Sequence, residues 1–449
     1  MTERSVVERI WAYDASLWTG SDEDRWLGWL DVVSRMQVHI DELNAFVEAT
    51  AEQLDDCVLL GMGGSSLAPE VLRRTFGGES FHVLDTTHPE AIRRLERTLD
   101  LERTLFLASS KSGSTIETRS QLEYFWERTG GRGLQFAAIT DPDSELDRLA
   151  HERGFRAVFA GDPEIGGRYS ALSMFGLVPA ALLGVDVARF LAGAAEMTAA
   201  CRGEGENPGL QLGLQLGEGW KEGRDKICLD GSPTGFGLWA EQLLAESTGK
   251  QGKGLVPAPG ESADGPDRQP GALALGDRYD LGGELYRWEF ATAVAGHVLG
   301  INPFDQPDVQ AAKDKTSEVL AAGDAELSPR GSLDELLAQA AEGDYVCIQA
   351  FVDPAREADL QPLVDRAHAT GCVVTTGLGP RYLHSTGQLH KGGPNTGLFV
   401  QVVDETGDEL PIPGRDFGFG RLIRSQAAGD FAALEDRGRR VIRLRLEDI

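Results

Sequence analysis

The chain has 449 residues, which is too long for one ordinary domain and suits two or three packed units. Hydrophobic residues make up 41% and charged residues 25% of it, as in average globular proteins, so a mainly disordered chain is excluded. The formal net charge of −28 argues against nucleic acid and anionic membranes as partners. A phosphorylated ligand would also be repelled, unless basic groups and backbone N–H groups are concentrated at one site.

The sequence predicts neither a membrane segment nor a disulfide framework. The N-terminal residues are charged and lack an apolar core, so we expect no signal peptide. The longest uncharged run, residues 169–185, falls short of the ~18 to 20 residues that a membrane span needs. The five cysteines form no CxxC pair and no metal-ligand spacing with histidine. We therefore expect a cytoplasmic protein with reduced thiols and no metal ion.

Residues 1–50 have a helical pattern in which four tryptophans recur among acidic residues. Large aromatic side chains are used in cores far more often than as ligand contacts, so we interpret these four as packing anchors. They are Trp11, Trp18, Trp26 and Trp29.

In residues 51–165, short apolar runs alternate with amphipathic stretches. Strands separated by helices predict right-handed crossovers and a parallel sheet that is buried on both faces. In such sheets, ligands bind beyond the carboxyl ends of the strands. The runs are residues 57–61, 81–85, 104–109, 136–140 and 156–160.

Residues 166–225 read as a connector, with a helical stretch over 169–200 and a glycine-rich linker over 203–219. A second αβ series follows over residues 226–449 and begins with a strand at 226–231. Within it, the segment 258–283 is rich in proline, glycine and aspartate and is predicted to be a mobile loop. We expect an α/β protein with parallel sheets in both series.

A glycine turn (residues 61–66) follows the first predicted strand. Its free N–H groups and the following helix could hold an anion. Gly61 and Gly63 also fit a dinucleotide fingerprint, and Asp85 ends the next strand, where a ribose-binding acid would lie. The third glycine position of that fingerprint is Ser66. The pattern alone leaves both interpretations open.

A hydroxyl loop (residues 110–115) follows the third predicted strand, and a helix follows the loop. It contains Lys111 and four hydroxyl side chains, from Ser110, Ser112, Ser114 and Thr115. Hydroxyls, a lysine and a helix N-terminus together can neutralise and hydrogen-bond a phosphate dianion. The alternative is an ordinary capping loop. Because the loop and the glycine turn lie at the same sheet edge, the pattern favours phosphate.

Three further segments, taken with the glycine turn and the hydroxyl loop, resemble one known protein family. They are GGRYSALS (166–173), AESTGKQGKG (245–254) and NPFDQPDVQAAK (302–313). With the glycine turn and the hydroxyl loop, they make residues 55–315 resemble the phosphoglucose isomerase family. Arg168 falls on one signature of that family, and the stretch from Phe304 to Lys313 falls on another.

The segment GPRYLHSTGQLHKGGP (379–394) is similar to the isomerase half of bifunctional transaldolase/phosphoglucose isomerase proteins. The resemblance implies two sugar-isomerase (SIS) type αβα sandwich subdomains, 51–165 with the phosphate loop and 226–449 with a C-terminal extension. It also implies a homodimer that interconverts D-glucose 6-phosphate and D-fructose 6-phosphate through a cis-enediolate, without a cofactor.

The resemblance also implies roles for individual residues. Glu246 corresponds to the base that moves a proton between C1 and C2, and Arg168 to the cation that stabilises the enediolate. Lys313 corresponds to a group that assists ring opening. The implied substrate contacts are Gly64, Ser65, Ser110, Lys111, Ser112, Thr115, Glu117 and Gln306.

One departure from the family concerns ring opening. The family usually carries a histidine downstream of the base, on a stretch supplied by the neighbouring subunit, whereas residues 256–271 contain no histidine. Three substitutes are open: Lys313 acting alone, Asp267 or Arg268, or a histidine of the C-terminal segment. The ordinary pKa of histidine, near neutrality, suits this role, and the segment 379–394 offers His384 or His390.

Other functions remain possible at this point. One is an SIS-type isomerase that acts on mannose 6-phosphate or on an amino sugar phosphate. Another is a non-catalytic sugar-phosphate sensor, which would have no need of the base. A nicotinamide-dependent dehydrogenase would use the glycine turn but would leave the later segments unexplained.

Overall fold

The computed structural model describes residues 4–203, 205–229, 234–407 and 409–449 and has an α/β fold with parallel sheets. The first half begins with three short N-terminal helices and continues with alternating strands and helices. The elements are α1 (Val6–Trp11), α2 (Val32–Met36), α3 (Ile40–Ala51), β1 (Asp56–Gly61), α4 (Leu67–Phe76), β2 (Phe81–Leu84), α5 (Pro89–Thr98), β3 (Thr104–Ser109), α6 (Ile116–Arg128), β4 (Phe136–Thr140), α7 (Glu145–Glu152) and β5 (Ala157–Ala160).

The five strands of this half form one parallel sheet in the order β2-β1-β3-β4-β5. Each strand coincides with one of the five predicted apolar runs to within one residue at either end, which confirms the predicted fold class. The central strands β1, β3 and β4 are almost fully buried because helices cover both faces of the sheet.

The second half contains two further parallel sheets. Its elements are α8 (Met174–Leu182), α9 (Val187–Arg202), α10 (Pro208–Lys221), β6 (Lys226–Leu229), α11 (Phe236–Thr248), β7 (Val256–Pro259), β8 (Arg268–Gly271), α12 (Leu281–Leu299), α13 (Val309–Ala322), α14 (Leu333–Leu337), β9 (Tyr345–Phe351), α15 (Gln361–His368), β10 (Val373–Leu378), α16 (Gly387–Gly392), β11 (Gly397–Val403), α17 (Phe419–Asp436) and β12 (Arg440–Arg445).

The strands of the second half are ordered β7-β6-β8 in one sheet and β10-β9-β11-β12 in the other. Strand β7 lies beside β10, and side chains of both sheets share one apolar cluster, so the two sheets pack as neighbours. The last two residues of the strand predicted at 226–231 lie outside the described residues.

Residues 208–219 of the glycine-rich stretch predicted as a linker lie in helix α10, so the prediction was wrong for that part. Its glycines recur every fourth residue and face α12. A Cβ on Gly213 would lie 2.5 Å from Val294, and one on Gly217 would lie 2.6 Å from Val298. The glycines therefore permit close helix packing, and the burial of the helix compensates for their poor helix propensity.

The predicted mobile loop over 258–283 contains strand β8 and the first residues of α12, so it is more ordered than its composition indicated. Strands β7 and β8 flank β6 on either side and contain prolines. Proline cannot donate to the sheet ladder and is confined to edges, which is where these strands lie within their sheet.

The N-terminal segment packs against two stretches that carry predicted site residues. Trp29 is fully buried and stacks on Tyr169 with 5.3 Å between ring centroids. Trp18 meets the ring of Phe304 edge-on at 5.2 Å, and its indole N–H donates to the Ala293 carbonyl. These contacts confirm the anchor role for these two tryptophans.

Among the helices built from described residues, none combines the length and the apolar character that crossing a bilayer requires. The same residues form no group of three or more metal-ligand side chains that could hold an ion. All five cysteines are free thiols.

Candidate active site

The glycine turn and the hydroxyl loop lie side by side because β1 and β3 are neighbours with Gly61 paired to Ser109. A Cβ on Gly64 would lie 2.0 Å from the Gly167 carbonyl oxygen, so only glycine fits there. Gly63 has a φ of +54°, and a Cβ on it would lie 2.6 Å from the His384 carbonyl oxygen. The turn therefore packs against the protein's own backbone at two points, which argues against a dinucleotide in that space.

The hydroxyl loop leads directly into α6, and its hydroxyls pair with one another. The Ser110 and Thr115 hydroxyls lie 3.0 Å apart, as do those of Ser112 and Ser114. Thr115 is the N-cap residue, yet its side chain makes no capping bond to the described part of the helix. The N–H groups of the first turn are therefore available to an anion.

Lys111 directs its ammonium away from the other side chains of the loop. Its Nζ lies 2.6 Å from Asp141 Oδ2 and donates to the Asp162 carbonyl oxygen at 2.8 Å. In this geometry the lysine fixes the loop to the two following strand ends. Any contribution of residue 111 to an anion site comes through the backbone and through the shape of the loop.

Arg168 is 2% exposed and organises a second group of site residues. Its Nε donates to Ser247 Oγ at 2.8 Å, and its Nη1 donates to Gln306 Oε1 at 2.8 Å. Its Nη2 donates to the carbonyl oxygens of Pro303 and Asp305. Arg168 thus joins α11 to the turn before α13, although these segments are far apart in sequence.

Glu246 lies on α11, within reach of this guanidinium. Its Oε1 is 3.5 Å from Arg168 Nη1, and its side chain is 13% exposed. Its Oε2 accepts a hydrogen bond from Gln242 Nε2 at 3.0 Å. The same Gln242 nitrogen donates to the His384 carbonyl oxygen at 2.9 Å. Gln242 therefore joins the carboxylate on α11 to the C-terminal segment.

Lys250 supports the turn that Arg168 contacts, and sequence reasoning did not assign it a role. Its buried Nζ donates to the carbonyl oxygens of Asn302 and Asp305 and to the Asp305 carboxylate, at 2.6 to 2.8 Å. Burial lowers the pKa of Lys250 to about 8, assisted by the charge of Arg168 and opposed by Asp305. The only sign of this residue in the sequence was its place in a glycine-rich stretch, four positions after Glu246.

His384 and Glu117 form a pair across the three-dimensional structure. His384 Nε2 lies 2.9 Å from Glu117 Oε1, which also accepts from Gln426 Nε2 at 2.7 Å. Burial raises the pKa of the Glu117 carboxyl, but the charges of His384 and Lys313 and the His384 hydrogen bond outweigh it, so that pKa lies below its usual range. Glu117 is therefore a carboxylate that accepts a hydrogen bond from the Nε2–H of His384.

A cavity of about 320 Å³ lies between the hydroxyl loop, α13 and α17. Its polar lining is Ser112, Ser114, Thr115, Glu117, Gln310, Lys313, Thr316, Ser317, His384 and Gln426. Lys313 is exposed on α13. Arg168, Glu246 and Gln306 lie outside this lining and connect to it through Gln242. The structure thus gathers the predicted residues into two adjoining groups.

The other ring-opening candidates lie elsewhere. Arg268 belongs to β8 and donates to the carbonyl oxygens of Ser262 and Gly371, and Asp267 directly precedes it. His390 is 3% exposed and contacts Gln349, and burial holds its pKa well below the usual range. Of the candidates raised by the sequence, only His384 and Lys313 line the cavity.

A partly buried cluster of charged residues lies at the 3₁₀ helix Arg381–His384. Arg381 Nη1 lies 3.6 Å from Asp85 Oδ2. Burial raises the pKa of Glu241 to about 7, and the charge of Arg381 partly opposes this. Asp85, the acid that a dinucleotide would need, is therefore engaged by Arg381.

The raised pKa of Glu241 predicts a pH-dependent stability. The folded chain holds this proton up to about pH 7, whereas the ordinary value is 4.5, so the free energy of unfolding falls as pH rises through this interval. Glu241→Gln lacks that proton, so its melting temperature relative to wild type should be higher at pH 8 than at pH 4.5. Thermal melts at both pH values measure this, and an equal difference at both would contradict it.

Residues 28–208 match the family model described as phosphoglucose isomerase. The chain is 36% identical over 219 residues to a glucose-6-phosphate isomerase of Gloeothece citriformis, covering 45% of this chain and 41% of the relative. It is 40% identical over 182 residues to one of Thermus thermophilus, covering 37% and 42%. The chain thus spans less than half the length of these curated relatives.

Two solved structures share the fold. A hypothetical protein of Thermus thermophilus has a TM-score of 0.50 and 23% identity, covering 98% of this chain and 82% of that one. A glucose-6-phosphate isomerase of Chlamydia trachomatis has a TM-score of 0.54 and 20% identity, covering 64% and 73%. The family match includes the glycine turn, the hydroxyl loop and Arg168. Residues 28–208 therefore resemble the phosphoglucose isomerase family in sequence.

Proposed function

We propose that the protein is an aldose–ketose isomerase that interconverts D-glucose 6-phosphate and D-fructose 6-phosphate. The observation that carries this proposal is the bridge made by Gln242, which joins Glu246 and the His384 backbone beside an anion-binding loop. A proton-transfer base and a ring-opening group must act on the two ends of one short carbon–oxygen segment. In the protein, the side-chain amide of Gln242 donates both to the Glu246 carboxylate and to the backbone carbonyl of His384.

In the proposed reaction, Glu246 removes a proton from C2 of the aldose and returns it to C1, and the reverse for the ketose. Negative charge then develops on the oxygens of the cis-enediolate. Arg168 is a permanent cation 3.5 Å from the Glu246 carboxylate, and it is already oriented by four hydrogen bonds. A preorganised cation at this place stabilises the intermediate without having to reorganise.

Ring opening is assigned to His384, assisted by Lys313. Opening requires a proton delivered to the ring oxygen and one taken from the C1 hydroxyl of the aldose, or from the C2 hydroxyl of the ketose. With Nε2–H donated to Glu117, the other ring nitrogen, Nδ1, is the one that exchanges protons with the sugar. The exposed ammonium of Lys313 lines the same cavity and can stabilise the opening oxygen.

The phosphate is assigned to the hydroxyl loop and the first turn of α6. Ser110, Ser112 and Thr115 supply hydroxyls, and Ser65 and Gly64 supply the adjoining turn against the sugar. This assignment answers the problem of a chain with a net charge of −28, because the anion is met by N–H groups and hydroxyls at a helix N-terminus.

Lys111→Met and Asp141→Asn together test how Lys111 contributes. If the lysine holds the loop through Asp141, both substitutions break the same ion pair and should raise KM for the sugar phosphate by similar factors, with kcat little changed. Steady-state kinetics on fructose 6-phosphate measures this. A raised KM in Lys111→Met together with an unchanged or lowered KM in Asp141→Asn would instead mean that the ammonium contacts the phosphate directly.

The substrate is tested by assaying fructose 6-phosphate, mannose 6-phosphate and glucosamine 6-phosphate in parallel with the purified chain. The proposal predicts that fructose 6-phosphate is converted to glucose 6-phosphate with the highest kcat/KM. Turnover of mannose 6-phosphate or of the amino sugar alone would assign a different isomerase. Binding of all three sugar phosphates without turnover would assign a sensor.

We further propose a cytoplasmic homodimer in which each subunit completes its own site. The buried free thiols agree with a reducing compartment. The relevant histidine lies within the same chain as the base, so dimerisation is not needed to bring the two together.

A further inference from the structure

We propose that Gln426 is a positioning residue for ring opening: its side-chain amide holds Glu117 where that carboxylate receives the Nε2–H of His384. The inference rests on the proposed function. Gln426 belongs to α17, and it reaches the site from a segment more than 300 residues away from Glu117 along the chain. No feature of the sequence around it indicates a catalytic role.

The contacts of Gln426 determine the orientation of its amide. Its Nε2 lies 2.7 Å from Glu117 Oε1, and its Oε1 lies 2.8 Å from the Thr87 hydroxyl. A carboxylate only accepts hydrogen bonds, so the NH₂ group must face Glu117, and the amide oxygen is left to accept from Thr87. Both Gln426 and Thr87 are 1% exposed or less, so water competes little for these bonds.

The resulting relay runs from Thr87 through Gln426 and Glu117 to His384. Two N–H donors, from Gln426 and His384, converge on the same oxygen of Glu117. This convergence orients the carboxylate toward Nε2, which leaves Nδ1 as the nitrogen that exchanges protons with the sugar. The relay also joins the first sheet unit to the C-terminal unit, because Thr87 follows β2 whereas Gln426 lies on α17.

The ionisable groups that face Glu117 are His384 from the 3₁₀ helix and Lys313 from α13. Gln426 adds no charge to this set, so its contribution is a directed N–H bond. Replacing it by leucine leaves Glu117 free to turn away from the imidazole. Replacing it by glutamate keeps the shape of the side chain. The new carboxylate then faces the Glu117 carboxylate and cannot donate a hydrogen bond to it until it binds a proton.

The test compares Gln426→Leu and Gln426→Glu with wild type between pH 6 and pH 8, using fructose 6-phosphate. We expect Gln426→Leu to lower kcat on the order of 10- to 100-fold, as for lost partners of metal-bound histidines. The inhibition constant of the acyclic D-sorbitol 6-phosphate should stay within about threefold, because the sugar needs no opening. For the isosteric Gln426→Glu, kcat relative to wild type should rise as pH falls, since a protonated carboxyl can donate as the amide does.

Gln401→Leu is the matched control. Gln401 lies on β11 and is also fully buried. Its amide donates to the carbonyl of Ala427 on α17, but Gln401 does not line the cavity. It should lower stability and leave the pH dependence of kcat unchanged. A pH-independent Gln426→Glu ratio, or a kcat of Gln426→Leu close to wild type, would overturn the positioning role. An inactive wild-type protein would instead overturn the proposed function.

Discussion

Glu246→Gln should abolish isomerisation while sparing ligand binding. Removing a general base costs ~10² to 10⁴ in rate, so kcat should fall by at least about 100-fold. The amide is isosteric and can still accept from Gln242, so the bridge to His384 survives. The measurements are the coupled assay, exchange of the C2 proton of glucose 6-phosphate with solvent, and the inhibition constant of D-sorbitol 6-phosphate.

The control for this substitution is Glu218→Gln, the same chemical change at an exposed glutamate on α10 that pairs with Lys221. It should have wild-type kinetics. A kcat of Glu246→Gln within about tenfold of wild type would remove Glu246 from the base role, because such a loss is smaller than general-base catalysis explains.

His384→Gln should have the second largest effect. The substitution removes the group that exchanges protons with the ring oxygen and leaves Glu117 with one donor fewer. We expect kcat for fructose 6-phosphate to fall by ~10² or more, as for a lost acid–base group. Inhibition by the acyclic D-sorbitol 6-phosphate should remain close to wild type, because an open chain does not require the histidine. An equal loss of acyclic inhibitor binding would point to a binding role.

Mixing the two inactive variants then shows which chain supplies the histidine. If His384 serves its own chain, co-expressed Glu246→Gln and His384→Gln subunits contain no intact site and stay inactive. If it served a neighbouring subunit, mixed dimers would regain an intact site and activity would return. Recovery of activity would therefore contradict the assembly within one chain.

Much of the fold followed from local sequence patterns. The first sheet was predictable because its strands are short apolar runs, and the central strands β1, β3 and β4 are buried on both faces. Strands β7 and β8 were missed, since their prolines read as loop and only their place at a sheet edge makes them possible. Helix α10 was missed because the packing that stabilises its glycines comes from α12, about 80 residues away along the chain.

The candidate site was likewise predictable only in part. The glycine turn and hydroxyl loop were visible because their residues are contiguous and follow adjacent strands. The pairing of His384 with Glu117 was not, since 267 positions separate the two residues. Gln242 and Gln426 gave no signal at all, because a buried glutamine is defined by its partners, and those become apparent only when the segments pack together.

The most direct measurement of the central claim is NMR spectroscopy of fructose 6-phosphate incubated with the protein in D₂O. A carboxylate that carries a proton between C1 and C2 exchanges part of it with solvent, so the account predicts glucose 6-phosphate in which a fraction of molecules carries deuterium at C2. Glucose 6-phosphate formed with no deuterium at C2, or no glucose 6-phosphate at all, would contradict it.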